Sequence, residues 1–477
     1  MMTVSLLAAL TQRGVHVAPN KVGPDYIDPG YHSLVTGRVS RNLDPVLCPE
    51  EIVVQLLAHG AIVPDPADVA IIEGVMGLFD GRIGSHGAGS TAAVAKLTNS
   101  PVIAVVNAKH TSRTAAATVL GMRDFDPDLN LAAVIFNQVS SPRHAAEITD
   151  AMSRVSDVEV LGFVPFDAQA QAPSRHLGLI PVEERPEASE QLRSLGDLVG
   201  THVDLDRLLE IAGTAPDLDV EPWDPERVVH APGRDESTGD SEARSTVTVP
   251  SCDEPYGQAA DLTPKPVVAL AGGKAFTFRY AETVELMQAG GLDVVEFDPL
   301  RDTDLPEGTC GIYLGGGFPE IYASEIAANL SLRRQVRHAV LDGVPTVAEC
   351  AGYLYLCRTL DDLDMAGAIP ATAAMNPRLT MGYRQATAET DTLLAKAGDQ
   401  ITGHEFHRTR VTAEAPDSLP MAWSFDNGNS DGVSFNPSNS SRPTVHASYL
   451  HTHWAGYPQL AQHFIDAVHA RHSKEYS

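Results

Sequence analysis

Positive charge is what this 477-residue chain has least of: 34 Lys and Arg stand against 62 Asp and Glu, a formal net charge of −28. A broad basic face is not expected. Nucleic acid and anionic membrane, which both need such a face to release counterions, are therefore excluded as main partners. Small phosphorylated ligands are not. No apolar run approaches the roughly 18 residues that span a bilayer, so no transmembrane helix is predicted. The apolar start, Met1 to Leu10, has no basic stretch before it and runs into Gln12 and Arg13, which predicts an amphipathic helix rather than a signal peptide. Cysteines are few and scattered. Cys48, Cys252, Cys310, Cys350 and Cys357 are odd in number, show no zinc spacing, and suit a reducing, cytoplasmic setting better than a disulfide framework. With 43% apolar and 20% charged residues, the chain can fill two or three cores of about 150 residues each.

What is present divides the chain by composition. From Val15 to about Gly200, the short apolar runs VHVAPNKVG, DVAIIEGVMGLFDG, SPVIAVVNA, LAAVIFNQV and VEVLGFVPF alternate with amphipathic stretches. Buried strands separated by helices read as a parallel α/β sheet covered on both faces. Between Asp217 and Asp261 there are 12 acidic and 3 basic residues among clusters of Pro, Ser and Gly, the composition of a solvated, partly disordered linker. From about Pro266 the α/β pattern resumes in PVVALAGG, LDVVEFDP, CGIYLGGGFPE, VPTVAEC and TVHASYLHTHW. The predicted organisation is a first domain at 1–205, an acidic linker at 206–264 and a second domain at 265–477.

In the second domain the strand VPTVAE runs into Cys350, and Ala351-Gly352 open the helix YLYLCRTL. A small residue and a glycine after a nucleophile permit the sharp turn that exposes a side chain above a sheet beside helix amides. Such a position is expected to lower a thiol pKa. Cys350 is therefore read as a nucleophile, whereas Cys357, flanked by Leu356 and Arg358, is read as a packed small hydrophobe.

AECAGYLYL, the upstream GGGFPE at Gly315–Glu320, GHEFHRTRV at Gly403–Val411 and the late SYLHTHW together resemble the class I glutamine amidotransferase domain of cobyrinic and hydrogenobyrinic acid a,c-diamide synthases. KVGPDYIDPGYHSLVTGRVSRNLDP and IIEGVMGLFDG resemble that family's dethiobiotin-synthetase-like ATP domain. The likeness covers both domains and breaks only at the linker. It implies a carbon–nitrogen ligase of cobalamin biosynthesis: a P-loop-type parallel sheet domain, truncated at its start, followed by an α/β amidotransferase domain. ATP with Mg²⁺ would activate a corrinoid carboxylate, L-glutamine would supply ammonia, and a homodimer is compatible with the pattern. A sister corrinoid amidase such as cobyric acid synthase, or a non-catalytic binding protein, are the alternatives; the DPGYHS and EGVMGLFDG wording argues against the former.

The resemblance also implies roles. The Cys350 thiolate would attack the glutamine amide with a histidine as base; His451 is favoured and His453 is the alternative. Many class I amidotransferases orient that histidine with a Glu two residues later, and here the slot holds His453. Gly316 and Gly317, with the amide of Ala351, would cradle the oxyanion, while His404 and His407 are given no chemistry. In the first domain Asp25, Tyr26 and Asp28 of DYID, with Lys21, Asp44 of NLDP and Asp80, would meet ATP or substrate. Glu73, at the end of a buried strand, resembles the metal-holding acid of P-loop ATPases. One departure is that the glycine-rich phosphate loop of relatives would precede Met1. Either the start is internal to a longer product or ATP chemistry is lost, and the retained acidic motifs favour the first.

Overall fold

The computed structural model describes residues 1–166, 174–175, 178–179, 181–185, 188–231, 264–415, 419–437 and 442–475. The first half alternates as the apolar runs predict: α1 (Met2–Gln12), β1 (Val17–Val22), α2 (Asp28–Thr36), β2 (Arg41–Leu43), α3 (Glu50–Ile62) and β3 (Val69–Glu73). It continues through α4 (Thr91–Leu97), β4 (Val102–Asn107), α5 (Arg113–Phe125), β5 (Leu131–Val139), α6 (Pro142–Val155) and β6 (Glu159–Pro165). All pairs are parallel, in two sheets ordered β2-β1-β3 and β4-β5-β6. β1 is buried along its whole length, which is why VAPNKV carries so few charges. β3 and β4 are not paired to each other. A cleft of about 1330 Å³ lies between them, lined by Ile71–Gly74 and Val102–Val105, and among the described residues no strand pairs with the facing edges of β3 and β4.

A short hairpin, β7 (Ser174–Arg175) and β8 (Gly178–Leu179), is followed by α7 (Ala188–His202), α8 (Leu205–Ala212) and α9 (Pro225–His230). α8 and α9 correct the reading of 206–264 as linker throughout. Leu205, Leu208 and Ile211 put α8 into the core of the first half, and Trp223, also buried, packs edge-on to His59 of α3 with centroids 5.4 Å apart. The expected linker residues 232–263 lie outside the described residues.

The second half comprises β9 (Val267–Ala271), α10 (Ala281–Ala289), β10 (Asp293–Phe297), β11 (Thr309–Leu314), α11 (Ala323–Ala328), α12 (Leu330–Leu341), β12 (Thr346–Glu349) and α13 (Ala351–Leu356). Then come β13 (Thr359–Leu360), β14 (Leu363–Asp364), β15 (Ala371–Thr387), β16 (Gln400–Ala413), β17 (Met421–Phe425), β18 (Ser430–Phe435), β19 (Val445–Ser448) and α14 (Pro458–Glu475). A parallel core, β10-β9-β11-β12-β19, continues into antiparallel β18-β17-β15, with β16 on β15. Glu349 is in register with Ser448, so the residues that follow β12 and β19 emerge at one edge of the sheet. No helix among the described residues is long and apolar enough to cross a membrane.

The two halves meet through a buried ion cluster. Arg41 of β2 reaches Glu282 Oε1 at 2.6 Å and both oxygens of Glu285 at 2.6 and 3.0 Å, across the interface to α10.

Candidate active site

The turn from β12 into α13 holds a side chain out of the sheet. Cys350 has φ 48°, a left-handed conformation that a residue with a Cβ adopts only under strain. Both sides are pinned: the Cys350 N–H donates to the Ser448 carbonyl at 2.8 Å, and the Gly352 N–H to the Gly315 carbonyl at 3.0 Å. Position 352 requires glycine, since a Cβ there would lie 2.3 Å from the Leu314 carbonyl oxygen. Cys350 is almost closed to solvent, at 5% exposed. Burial pushes its thiol pKa up, the Glu320 carboxylate adds to the rise, and the Ala351 amide opposes it. This corrects the expected lowering: the amide end of a six-residue helix does not offset desolvation. A thiol held protonated needs a base. Cys357 is buried in the core, its thiol donating to the Tyr353 carbonyl, as read from sequence.

His451 lies just past β19, buried, with its backbone bridged to His404 of β16. Its ring rests on Gly316, where a Cβ would come within 2.7 Å of His451 Cε1, and packs edge-on to Phe278. Among the described residues neither ring nitrogen has a hydrogen-bond partner. Nδ1 lies 3.6 Å from Glu349 Oε2. Glu349 accepts the Thr452 hydroxyl at 2.8 Å, the Thr452 N–H at 3.3 Å and the Tyr313 hydroxyl at 3.1 Å. His453 joins a different group: its ring packs on Tyr280, and its Nε2 faces Glu282 Oε2 at 3.7 Å, in the ion cluster between the halves. Burial lowers its pKa. Among the oxyanion candidates Gly316 is corrected, because its N–H is spent on the Phe278 carbonyl at 2.9 Å. Gly317 and Ala351 remain; a Cβ at Gly317 would sit 2.1 Å from the Ala275 carbonyl oxygen, so only glycine fits that approach.

Four first-half candidates converge at the carboxyl ends of β1 and β3. Lys21 Nζ meets Asp28 Oδ2 at 2.9 Å, Glu73 Oε2 at 3.6 Å and the Gly74 carbonyl at 3.0 Å. His32 Nε2 contacts Glu73 Oε2 at 2.7 Å. Burial alone would raise the Glu73 pKa, yet His32 and Lys21 bring it down to about 2. Asp25 closes the turn, its Oδ1 accepting the N–H groups of Ile27 and Asp28, and burial followed by Asp28 raises its pKa. Asp80 and Asp44 do not join them. Asp80 is exposed on the loop after β3. Asp44 is buried at the interface, its Oδ1 taking the Val46 and Leu47 amides and its Oδ2 the Tyr383 hydroxyl at 2.9 Å. Tyr26 leaves the cluster and reaches into the second half, 4.0 Å from the Phe278 ring, 6.1 Å from His451 and 6.3 Å from Phe406 between centroids.

A cavity of about 950 Å³ borders the elbow through Tyr353 and Tyr449. The Arg384–Glu405 ion pair (2.6 Å) lines it, with His407, stacked on Tyr449, and Asp431, whose pKa is pushed up to about 7 by burial and then by Glu405.

Residues 267–459 match the CobB/CobQ-like glutamine amidotransferase domain, and residues 1–180 the CobQ/CobB/MinD/ParA nucleotide binding domain. Over 97% of its length the chain is 50% identical to a hydrogenobyrinate a,c-diamide synthase of Thermobifida fusca, covering 92% of that protein. The chain belongs to the cobyrinate and hydrogenobyrinate a,c-diamide synthase family. It is also 47% identical to a hydrogenobyrinate a,c-diamide synthase of Streptomyces coelicolor, over 97% of this chain and 93% of that protein. With a cobyrinate a,c-diamide synthase of Synechococcus the identity is 38%, over 98% and 94%. In this a,c-diamide synthase family member, sequence reasoning missed Glu349, His32, Arg41, Arg384 and Glu405 as site or interface groups. Glu349 carried a legible signal, a carboxylate ending the short run VPTVAE that reads as a buried strand, where a charge rarely occurs without a partner.

Proposed function

We propose that the chain amidates the a and c carboxylates of a corrin acid, using glutamine as nitrogen donor and ATP as activator. The observation that carries this is the strained Cys350 elbow with His451 at the neighbouring strand end, contacted by Tyr26 from the nucleotide-binding half. His451 would take the Cys350 proton as the sulfur attacks the glutamine side-chain carbonyl carbon. The tetrahedral oxyanion would be met by the amides of Gly317 and Ala351. Its collapse expels ammonia, with the His451 proton returned to the leaving nitrogen, and leaves a thioester that water hydrolyses to glutamate. The cavity beside the elbow offers glutamine an Arg384 guanidinium for its α-carboxylate and Glu405 and Asp431 for its ammonium.

In the other half, ATP would transfer its γ-phosphoryl group to a corrin carboxylate, and ammonia would displace phosphate from the acyl phosphate. Lys21 carries the positive charge for that transfer. Mg²⁺ would neutralise phosphate charge there. Glu73 and Asp28 fit it, since Mg²⁺ takes one or two protein carboxylates and completes its shell with phosphate oxygens and water. Relatives at 43–50% identity are named for hydrogenobyrinate and those at 34–38% for cobyrinate, which supports the cobalt-free corrin as substrate.

The test incubates the chain with amide-¹⁵N glutamine, Mg-ATP and either corrin acid, with mass spectrometry of the product. Two ¹⁵N atoms per hydrogenobyrinate, abolished by Cys350→Ala and retained by Cys357→Ser, are expected. Label transfer that survives Cys350→Ala would overturn the reading.

A further inference from the structure

The slot two residues after His451, where an orienting acid would stand, holds His453, whose Nε2 faces Glu282 Oε2 at 3.7 Å. His451 nevertheless has one carboxylate against its Nδ1: Glu349, at 3.6 Å. We infer that Glu349, the residue immediately before the nucleophile, is the positioning acid for His451. The inference rests on Cys350 and His451 forming the glutaminase pair.

Three features make Glu349 fit this role. First, its carboxylate is anchored independently of His451, by Thr452 through both hydroxyl and N–H and by the Tyr313 hydroxyl. A carboxylate so held has a fixed direction before substrate arrives, which is what an orienting group must supply. Secondly, Glu349 and Ser448 are in register on adjacent parallel strands. The same backbone pairing that sets Cys350 against Ser448 therefore sets Glu349 beside the segment carrying His451, so nucleophile, base and acid come from two strand ends. Thirdly, His451 is 1% exposed, and both ring nitrogens lack a hydrogen-bond partner among the described residues. Nδ1 is 3.6 Å from Glu349, within ion-pair range of it once the ring is protonated. As His451 accepts the thiol proton on Nε2, the Nδ1 side becomes cationic and the anion at Glu349 stabilises it, selecting the tautomer with its proton on Nδ1. The other titratable groups around His451 are Tyr26 from the first half, His404 on β16 and Cys350 at the adjacent strand end; beyond them Glu320 acts on both Cys350 and Tyr26, and Asp25 on Tyr26.

The experiment compares Glu349→Gln, Glu349→Asp, Thr452→Val, His451→Asn and His453→Asn in the full chain. The readouts are glutaminase kcat/KM from pH 5 to 9 and the rate at which 6-diazo-5-oxonorleucine labels Cys350. Glu349→Gln is expected to lower kcat/KM by roughly 10- to 1,000-fold. It should also move the acid limb of the profile to lower pH, because the imidazolium has lost its anion. Glu349→Asp should recover part of the rate and keep the limb where it was. Thr452→Val removes an anchor but no charge, so it should lower the rate less and leave the limb in place. An unshifted limb in Glu349→Gln, or a rate within threefold of the parent, would overturn the proposal. Should Glu349→Gln fail to fold, an Asp variant with a shifted limb does the same. Failure of the underlying pair looks different: His451→Asn would retain activity while His453→Asn lost it.

Discussion

Replacing Arg41 with Met tests the buried joint between the halves. The Arg41 guanidinium is 2% exposed, Glu282 is fully buried and Glu285 is 22% exposed. In the variant Glu282 keeps, among the described residues, His453 at 3.7 Å, whose pKa burial lowers. Stranding one partner of a buried pair costs about 3–5 kcal/mol. For an unfolding unit of about 150–250 residues, where each kcal/mol moves Tm by about 2–4 °C, that is a fall of roughly 6–20 °C. Trp223, packed edge-on to His59 beside this joint, gives a fluorescence reporter. A second mutation, Glu282→Gln, removes the stranded charge and should return part of the loss. The acid limb offers an independent check. Burial alone would raise the Glu285 pKa, but the His59 ring, 3.6 Å away, and the hydrogen bonds and charge of Arg41 hold it at about 2 against 4.5 unperturbed. A carboxylate depressed on folding contributes stability above its unfolded value that is lost as pH falls towards 2, here about 3 kcal/mol. Arg41→Met should therefore flatten the dependence of Tm on pH between 4.5 and 2. A variant melting within 3 °C of the parent, or a double mutant no more stable than Arg41→Met, would refute the reasoning.

Three further outcomes are expected. Gly316→Ala, whose Cβ would press on His451 Cε1, should cut glutaminase kcat by about 10²-fold, the loss typical of a 1 Å misplacement; unchanged kcat would show that the ring is free to shift. Glu73→Gln and Asp28→Asn should each abolish acyl phosphate formation, followed by oxygen exchange from the corrin carboxylate into phosphate, while Cys350 still labels; normal exchange would make these acids structural. Tyr26→Ala should loosen the cover over His451 and raise the ratio of glutamate formed to amide formed, measured by chromatography, whereas an unchanged ratio would mean that Tyr26 only fills space.

The elbow was legible in the sequence because its signal is local: an apolar strand, a cysteine, a small residue and a glycine are adjacent in the chain, and the turn they make depends on little else. The parallel sheets were legible for the same reason, since strands buried on both faces read as continuous apolar runs. The linker reading went too far because the acidic composition counted between Asp217 and Asp261 was carried back to 206, across the apolar stripe of Leu208 and Ile211 that continues from Leu205, and passed over the single Trp223 within it. The thiol pKa was misjudged because helix amides can be read from sequence, whereas burial by distant elements cannot.

Sequence by itself determined which groups exist to do chemistry, in what order, and which family carries the same motifs. Tertiary structure decided which of several chemically equivalent groups meet. His451 and His453 are two residues apart, and in a continuing strand their side chains would share a face; β19 ends at Ser448, so the two rings diverge, one to Glu349 and the other to Glu282. Gly316 and Gly317 are neighbours, yet a hydrogen bond to Phe278 spends one amide and leaves the other. Asp44 and Tyr26 belong to motifs of the first half but end against the second. These outcomes depend on contacts between residues tens to hundreds of positions apart, set when two sheets and the surfaces between them pack together, and no local pattern encodes them.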